Sequence, residues 1–227
     1  GSWLFDASRD EQRRLEEQSV GVLAALHAID LRRADASFLE FDLPGETALR
    51  RHAENQRRYY EWMRGARRHP LIERAFAWLD EHWPKDEGDP VISWGDARIG
   101  NMLYDGFEPV AVLDWEMAAI APREVDLAWM VFLHVFFEDI CQQAALPGMP
   151  HFLRREDVAA TYEARSGPRV RDFDFFLTYA ALRHAIVMAR IHARRVHFGE
   201  AEWPADVDDV IMHRGVLERM LEGVYWG

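Results

Sequence analysis

Polar residues whose types could do chemistry crowd into one stretch of this 227-residue chain. They run Trp94-Gly95-Asp96-Ala97-Arg98-Ile99-Gly100-Asn101, and then Leu113-Asp114-Trp115-Glu116. Asp96 follows a short β-type run and a glycine, which puts its carboxylate on a turn where it can project into a cleft. Asn101 lies five residues on, at the start of a second β run, and Asp114 ends a third. The intervening Asp105-Gly106 pair is a hairpin-turn signal, and a hairpin of this length brings Asn101 and Asp114 to the same end. One amide oxygen and one carboxylate are hard ligands suited to Mg²⁺, which usually takes one or two carboxylates plus phosphate oxygens. Asp96, not required as a ligand, can orient a hydroxyl or accept its proton. A base, an amide ligand and a carboxylate ligand form the minimum apparatus for phosphoryl transfer from a metal-bound nucleotide.

These residues must be held by the elements around them. Val91-Ile92-Ser93, Asn101 to Tyr104 and Pro109 to Leu113 read as short strands. The flanking sequence has helical period. Ser8 with Glu11 three residues later is a capping box, and Leu15, Val22, Leu23 and Leu26 recur at helical spacing up to about Ile29. Ala34 to Gly45 reads as loop. Helices are expected from Glu46 to Met63 and from Pro70 to Trp83, the latter with Leu71, Ala75, Phe76 and Leu79 on one face. Further helices are expected from Glu124 to about Ile140, Arg155 to Arg165, Asp172 to Val196 and Asp206 to Gly223. Phe132, Phe136 and Phe137 read as core. There is no alternating β/α pattern, which argues against a doubly wound sheet. The fold class is α+β and predominantly helical, with a small central β-hairpin patch.

Composition excludes several classes. With 27 Lys+Arg against 39 Asp+Glu the net charge is −12, which opposes phosphate-backbone binding by nucleic-acid partners. The acidity suits a cationic substrate, or serves solubility alone. No run approaches 18 apolar residues, so no membrane span is expected. Cys141 is the only cysteine, so no internal disulfide forms and a reducing compartment fits. The opening Gly1-Ser2-Trp3-Leu4-Phe5-Asp6 lacks the regions of a signal peptide, and a cytoplasmic location is expected. The ten histidines show no zinc-type spacing. The His192, Arg194, Arg195, His197 cluster reads as a solvated helix face or the wall of a substrate lobe. Trp203-Pro204 reads as a packing elbow.

The string Gly95-Asp96-Ala97-Arg98-Ile99-Gly100-Asn101, followed by Val112-Leu113-Asp114-Trp115-Glu116, resembles the aminoglycoside phosphotransferase (kinase-like) family. The branch it resembles most includes domains fused to acyl-CoA dehydrogenases. Pro122-Arg123-Glu124-Val125-Asp126-Leu127-Ala128 and Leu23-x-x-Leu26-His27 resemble the same family. The resemblance runs from about Trp3 to the C-terminus. It implies a protein-kinase-like C-terminal lobe over residues 8–227, with residues 1–7 as a hinge remnant. It implies ATP (or GTP) with Mg²⁺, and a small-molecule hydroxyl as acceptor. Asp96 would be the catalytic base, and Asn101 and Asp114 would hold Mg²⁺ and the nucleotide phosphates. Arg98 would lie in the catalytic loop, near phosphate or in a structural ion pair. Glu116 would face the metal through water or serve structure alone. Asp126 would anchor the catalytic-loop backbone from the following helix, and His27 would be a buried, hydrogen-bonded helix residue. Tyr179, Arg183 and Arg190, on one helix stripe, could meet the acceptor.

Two departures stand out. The family's usual His before the Gly-Asp pair is Trp94 here, which is expected to fill the same space. Nothing before Asp6 encodes a β-sheet, phosphate-covering loop and Lys–Glu pair, so the N-terminal nucleotide lobe is absent from this chain and is expected on the same or a longer polypeptide. The alternative is a non-catalytic, kinase-like binding or interaction module. A hydrolase using the same carboxylates has no supporting motif.

Overall fold

A computed structural model describes residues 3–225; Gly1 and Ser2 of the expected hinge remnant, and Trp226 and Gly227, lie outside them. In chain order the helices α1 (Trp3–Asp6), α2 (Arg9–His27), α3 (Leu31–Ala34), α4 (Ala48–Arg64) and α5 (Pro70–Glu81) come first. Four short strands follow: β1 (Pro90–Ser93), β2 (Met102–Asp105), β3 (Glu108–Val112) and β4 (Ala119–Pro122). The chain ends with α6 (Glu124–Gln143), α7 (Arg155–Ser166), α8 (Phe173–His197) and α9 (Arg214–Leu221). The mostly helical α+β class is as the sequence implies. Among the described residues no helix is long and apolar enough to cross a membrane.

The chain divides into two compact units, Gly1–Phe41 with Gly88–Phe173, and Asp42–Glu87 with Asp174–Gly227. In the first, α2 begins at the expected capping box. The Ser8 hydroxyl accepts from the Glu11 amide at 3.3 Å, and Glu11 Oε2 accepts from the Ser8 amide at 2.8 Å. Leu15, Val20, Leu23 and Ala24 make the buried face of α2, which packs on α7, β1 and β3. The strands form two antiparallel pairs, β1 with β4 and β2 with β3. A two-stranded pair is marginal alone, and the packing of α2 on β1 and β3 gives each pair support. The β2–β3 hairpin closes at Asp105↔Glu108 around Gly106, whose φ of +57° suits the turn. The first ten residues of α6 are buried all round, the pattern of a central helix.

In the second unit, the Thr47 hydroxyl caps α4 by accepting from the Arg50 amide at 3.2 Å. Pro70 opens α5. His69, the residue before it, lends no side-chain cap, and the Asp208 carboxylate accepts from the Leu71 amide at 2.9 Å instead. A carboxylate there also complements the helix dipole. Tyr179 of α8 hydrogen-bonds His52 Nδ1 at 2.6 Å. Trp203 is a packing elbow as expected: His69, His192 and the Arg67 guanidinium all lie against its ring.

Strand β4 is not among the strands expected from the sequence; it carries no alternation, because Ala119, Ile120, Ala121 and Pro122 are all buried. Three expectations need correction. The span Ala34 to Gly45 is not loop throughout: a 3₁₀ turn covers Ala36–Leu39. The helix expected from Asp206 starts at Arg214. Asp206 turns its carboxylate onto the Asp208 amide, a 3₁₀ turn covers Val207–Val210, and Ile211 is extended. Phe137 is 53% exposed rather than core, turned about 100° round α6 from buried Phe136, whose ring it meets edge-on.

Burial holds two histidines of the second unit neutral. It pushes His184 down to about 3 and His213 down to about 4, from an ordinary 6.5. The unfolded chain takes up these protons near pH 6.5 and the folded chain does not, so stability is full above 6.5 and falls as pH drops towards 4. Thermal melts should show Tm decreasing between pH 6.5 and 4, and His184→Leu should flatten that decrease.

Candidate active site

The turn after β1 is held by a single carboxylate. Asp126, on the first turn of α6, is fully buried. Its Oδ1 accepts from the Ser93 hydroxyl and the Gly95 amide, each at 2.8 Å. Its Oδ2 accepts from the Trp94 amide at 2.7 Å and from His27 Nε2 at 3.0 Å. Four donors fill the four lone-pair positions of a carboxylate. Burial pushes Asp126 towards the neutral form, but the His27 hydrogen bond and charge, with the Gly95 and Ser93 hydrogen bonds, hold it below the ordinary carboxylate value. Nε2 faces a carboxylate and so carries a proton, and the other ring nitrogen, Nδ1, lies 2.9 Å from the Tyr162 hydroxyl. His27 is the buried, bonded helix residue the sequence suggests.

Gly95 is required where it stands. Its φ is +88°, and a Cβ there would lie 2.1 Å from the Met117 carbonyl oxygen. The chain therefore closes backbone against backbone just before Asp96. Trp94 is fully buried, and its indole Nε1–H donates to the Leu113 carbonyl at 2.8 Å. The residue at the usual His position thus ties the Asp96 turn to the segment that carries Asp114.

Asp96 is mostly buried, its side chain 15% exposed. Its Oδ2 accepts from Asn101 Nδ2 at 2.6 Å and from Arg98 Nε at 3.1 Å. Its Oδ1 accepts from the indole Nε1–H of Trp129 at 2.7 Å. Asn101 Nδ2 also donates to the Asp96 carbonyl at 3.2 Å, so both amide hydrogens face Asp96 and Oδ1 of Asn101 remains an acceptor. The Asn101 carbonyl accepts from the Leu113 amide at 2.8 Å, which continues the ladder one step past the Met102↔Val112 pair. Asn101 and Asp114 therefore share the open end of the hairpin, as the turn spacing implies. Asp114 is exposed, in the left-handed region at φ +61°. Glu116, also exposed, lies two residues further on in the next turn.

Of the sequence-derived set, Asp96, Arg98 and Asn101 are joined by hydrogen bonds, Asp114 adjoins Asn101 through the backbone, and Glu116 stands apart in the following turn. Among the described residues no group of three or more His, Cys, Asp or Glu is placed to hold a metal ion. The oxygens suited to a cation are an amide and neighbouring carboxylates, a hard donor set that fits Mg²⁺ with water and phosphate filling the rest. Trp129 escaped the sequence reading. The signal for it was spacing: it lies three residues past Asp126, on the same face of α6. Of the stripe Tyr179, Arg183 and Arg190 in the second unit, the first two are buried, and Arg190 lies over the Trp62 ring at 5.0 Å.

The sequence profile of the phosphotransferase enzyme family matches residues 1–167. The chain belongs to this family. It is 24% identical over 137 residues to acyl-CoA dehydrogenase family member 10 of Mus musculus, covering 55% of this chain and 12% of that protein. It is 30% identical over 138 residues to acyl-CoA dehydrogenase family member 11 of Gallus gallus, covering 57% and 17%. The chain thus spans under a fifth of the length of these relatives. A crystal structure of a candidate aminoglycoside phosphotransferase from Ralstonia eutropha superposes with a TM-score of 0.72 at 22% identity, covering 97% of this chain and 67% of that one. Macrolide 2'-phosphotransferase from Brachybacterium faecium does so at 0.53 and 20%, covering 89% and 59%. At these identities the two structures show the shared fold.

Two stability predictions follow from the turn. Asp126→Asn sets an NH₂ group against N–H donors in a buried site and should lower the unfolding free energy by about 3–5 kcal/mol in urea titration. Gly95→Ala should cost about 3 kcal/mol or more, whereas Asp114→Gly, which relieves a left-handed residue, should leave stability unchanged or raise it by about 1 kcal/mol.

Proposed function

We propose that this chain is the catalytic, C-terminal lobe of a phosphotransferase that moves the γ-phosphoryl group of ATP or GTP to a hydroxyl of a small molecule. The observation that carries the reading is the Asn101 amide. It binds Asp96 through Nδ2 and keeps Oδ1 for a cation at the hairpin end it shares with Asp114.

In this reading Asn101 and Asp114 would hold Mg²⁺ for the nucleotide phosphates, and Glu116 would act through water. Bound Mg²⁺ would neutralise charge on the transferring group. Asp96 accepts the hydrogen bond of the acceptor hydroxyl and aims its oxygen at the γ-phosphorus. As that O–P bond forms, the bond from phosphorus to the β–γ bridging oxygen breaks. ADP or GDP leaves, and the hydroxyl proton passes to Asp96 and then to solvent. Arg98 keeps Nε on Asp96 and turns its outer nitrogens to the phosphate oxygens. Positioning and electrostatics do most of this work.

The test is nucleoside diphosphate release from Mg·ATP or Mg·GTP against a panel of hydroxylated acceptors, using this chain and any longer polypeptide that contains it. Asp96→Ala should lower kcat by about 10²–10⁴, and Asp114→Ala should abolish turnover. An Asp96→Ala rate near wild type would overturn the role given to Asp96. Absence of transfer in both proteins would favour a binding module.

A further inference from the structure

A carboxylate that orients a hydroxyl must itself be held still, and it must keep one acceptor position open. Asp96 meets both conditions through a residue the family motif does not include. A carboxylate offers about four lone-pair positions. Asn101 Nδ2 and Arg98 Nε occupy the two on Oδ2. Trp129 Nε1–H, at 2.7 Å, occupies one of the two on Oδ1. One position is left, and it is on Oδ1.

Asn101 and Arg98 belong to the same turn as Asp96 and move with it. Trp129 does not. It is 3% exposed and set in the buried half of α6, one helical step from Asp126, the residue that clamps the backbone of the turn. A buried indole N–H has one donor and no acceptor, so its partner must be an acceptor, and here that partner is Asp96. Helix α6 thus grips the turn twice: Asp126 takes its backbone amides, and Trp129 takes the side chain of Asp96.

We infer that Trp129 is a positioning residue for Asp96: its indole N–H fixes the carboxylate so that the remaining lone pair of Oδ1 receives the acceptor hydroxyl. The catalytic meaning rests on the phosphotransferase reading, whereas the contact itself does not, and the experiment separates the two.

Indole ¹⁵N–H signals are recorded on the intact chain, and Trp129→Phe, which keeps a ring and removes the donor, assigns the Trp129 signal. In Asp96→Ala that signal should lose its downfield shift and its protection from exchange while the other indole signals stay in place. In Trp129→Phe, side-chain couplings should show the Asp96 χ1 angle averaging between rotamers, with the melting temperature within a few degrees of wild type. A Trp129 signal indifferent to Asp96→Ala, or a single Asp96 rotamer in Trp129→Phe, overturns the inference whether or not the protein turns over.

Mg·ATP consumption with water as acceptor gives the catalytic half. Trp129→Phe should lower kcat about tenfold or more, with KM for ATP within about twofold, and should add nothing in an Asp96→Ala background. Additive losses, or a change confined to KM, contradict the positioning role. If no Asp114-dependent consumption is seen in wild type or in any longer polypeptide that contains it, the phosphotransferase reading fails, and the spectra still decide the contact.

Discussion

One buried carboxylate holds the candidate site together. Asp126 accepts four hydrogen bonds inside the protein, two from consecutive backbone amides of the turn that carries Asp96 and one from a histidine on α2. A buried charge is tolerated only when its lone pairs are filled, and here every position is. The same bonds that stabilise Asp126 therefore define the turn. Loss of one donor would leave a charge stranded in the interior, which ties the geometry of the turn to the stability of the first unit.

From that anchor the rest follows by short steps. The turn can close only because Gly95 has no Cβ to strike the Met117 backbone. Its closure brings Asp96 within reach of Asn101, Arg98 and Trp129. Trp94 links the turn to Leu113 through its indole, and the next residue, Asp114, takes a left-handed conformation. A non-glycine residue held there is a local cost, and it falls on an exposed carboxylate beside Asn101.

Much of this was legible in the sequence because local rules act locally. The Ser8–Glu11 capping box, the Asp105-Gly106 turn and the Leu71, Ala75, Phe76, Leu79 face all stand where their spacing puts them. Asp96, Arg98 and Asn101 were legible through their order and through Gly95. What was not legible depends on partners distant in the chain. Strand β4 is buried on both faces, so it carries no alternation by which the sequence could reveal it. The helix expected at Asp206 is broken because Asp206 satisfies a local amide and Asp208 turns to α5. Trp129 went unnoticed, because its single N–H matters only once Asp96 is beside it.

The central claim is that Asn101 and Asp114 form a metal–phosphate site at the end of the hairpin. Calorimetric titration of Mg·ATP into the wild-type chain and into Asp114→Ala tests it most directly, with matched melts to show that both proteins are folded. The account predicts heat of binding in wild type that vanishes in Asp114→Ala and weakens when Mg²⁺ is withheld. Equal binding by the two proteins, or binding indifferent to Mg²⁺, would contradict it.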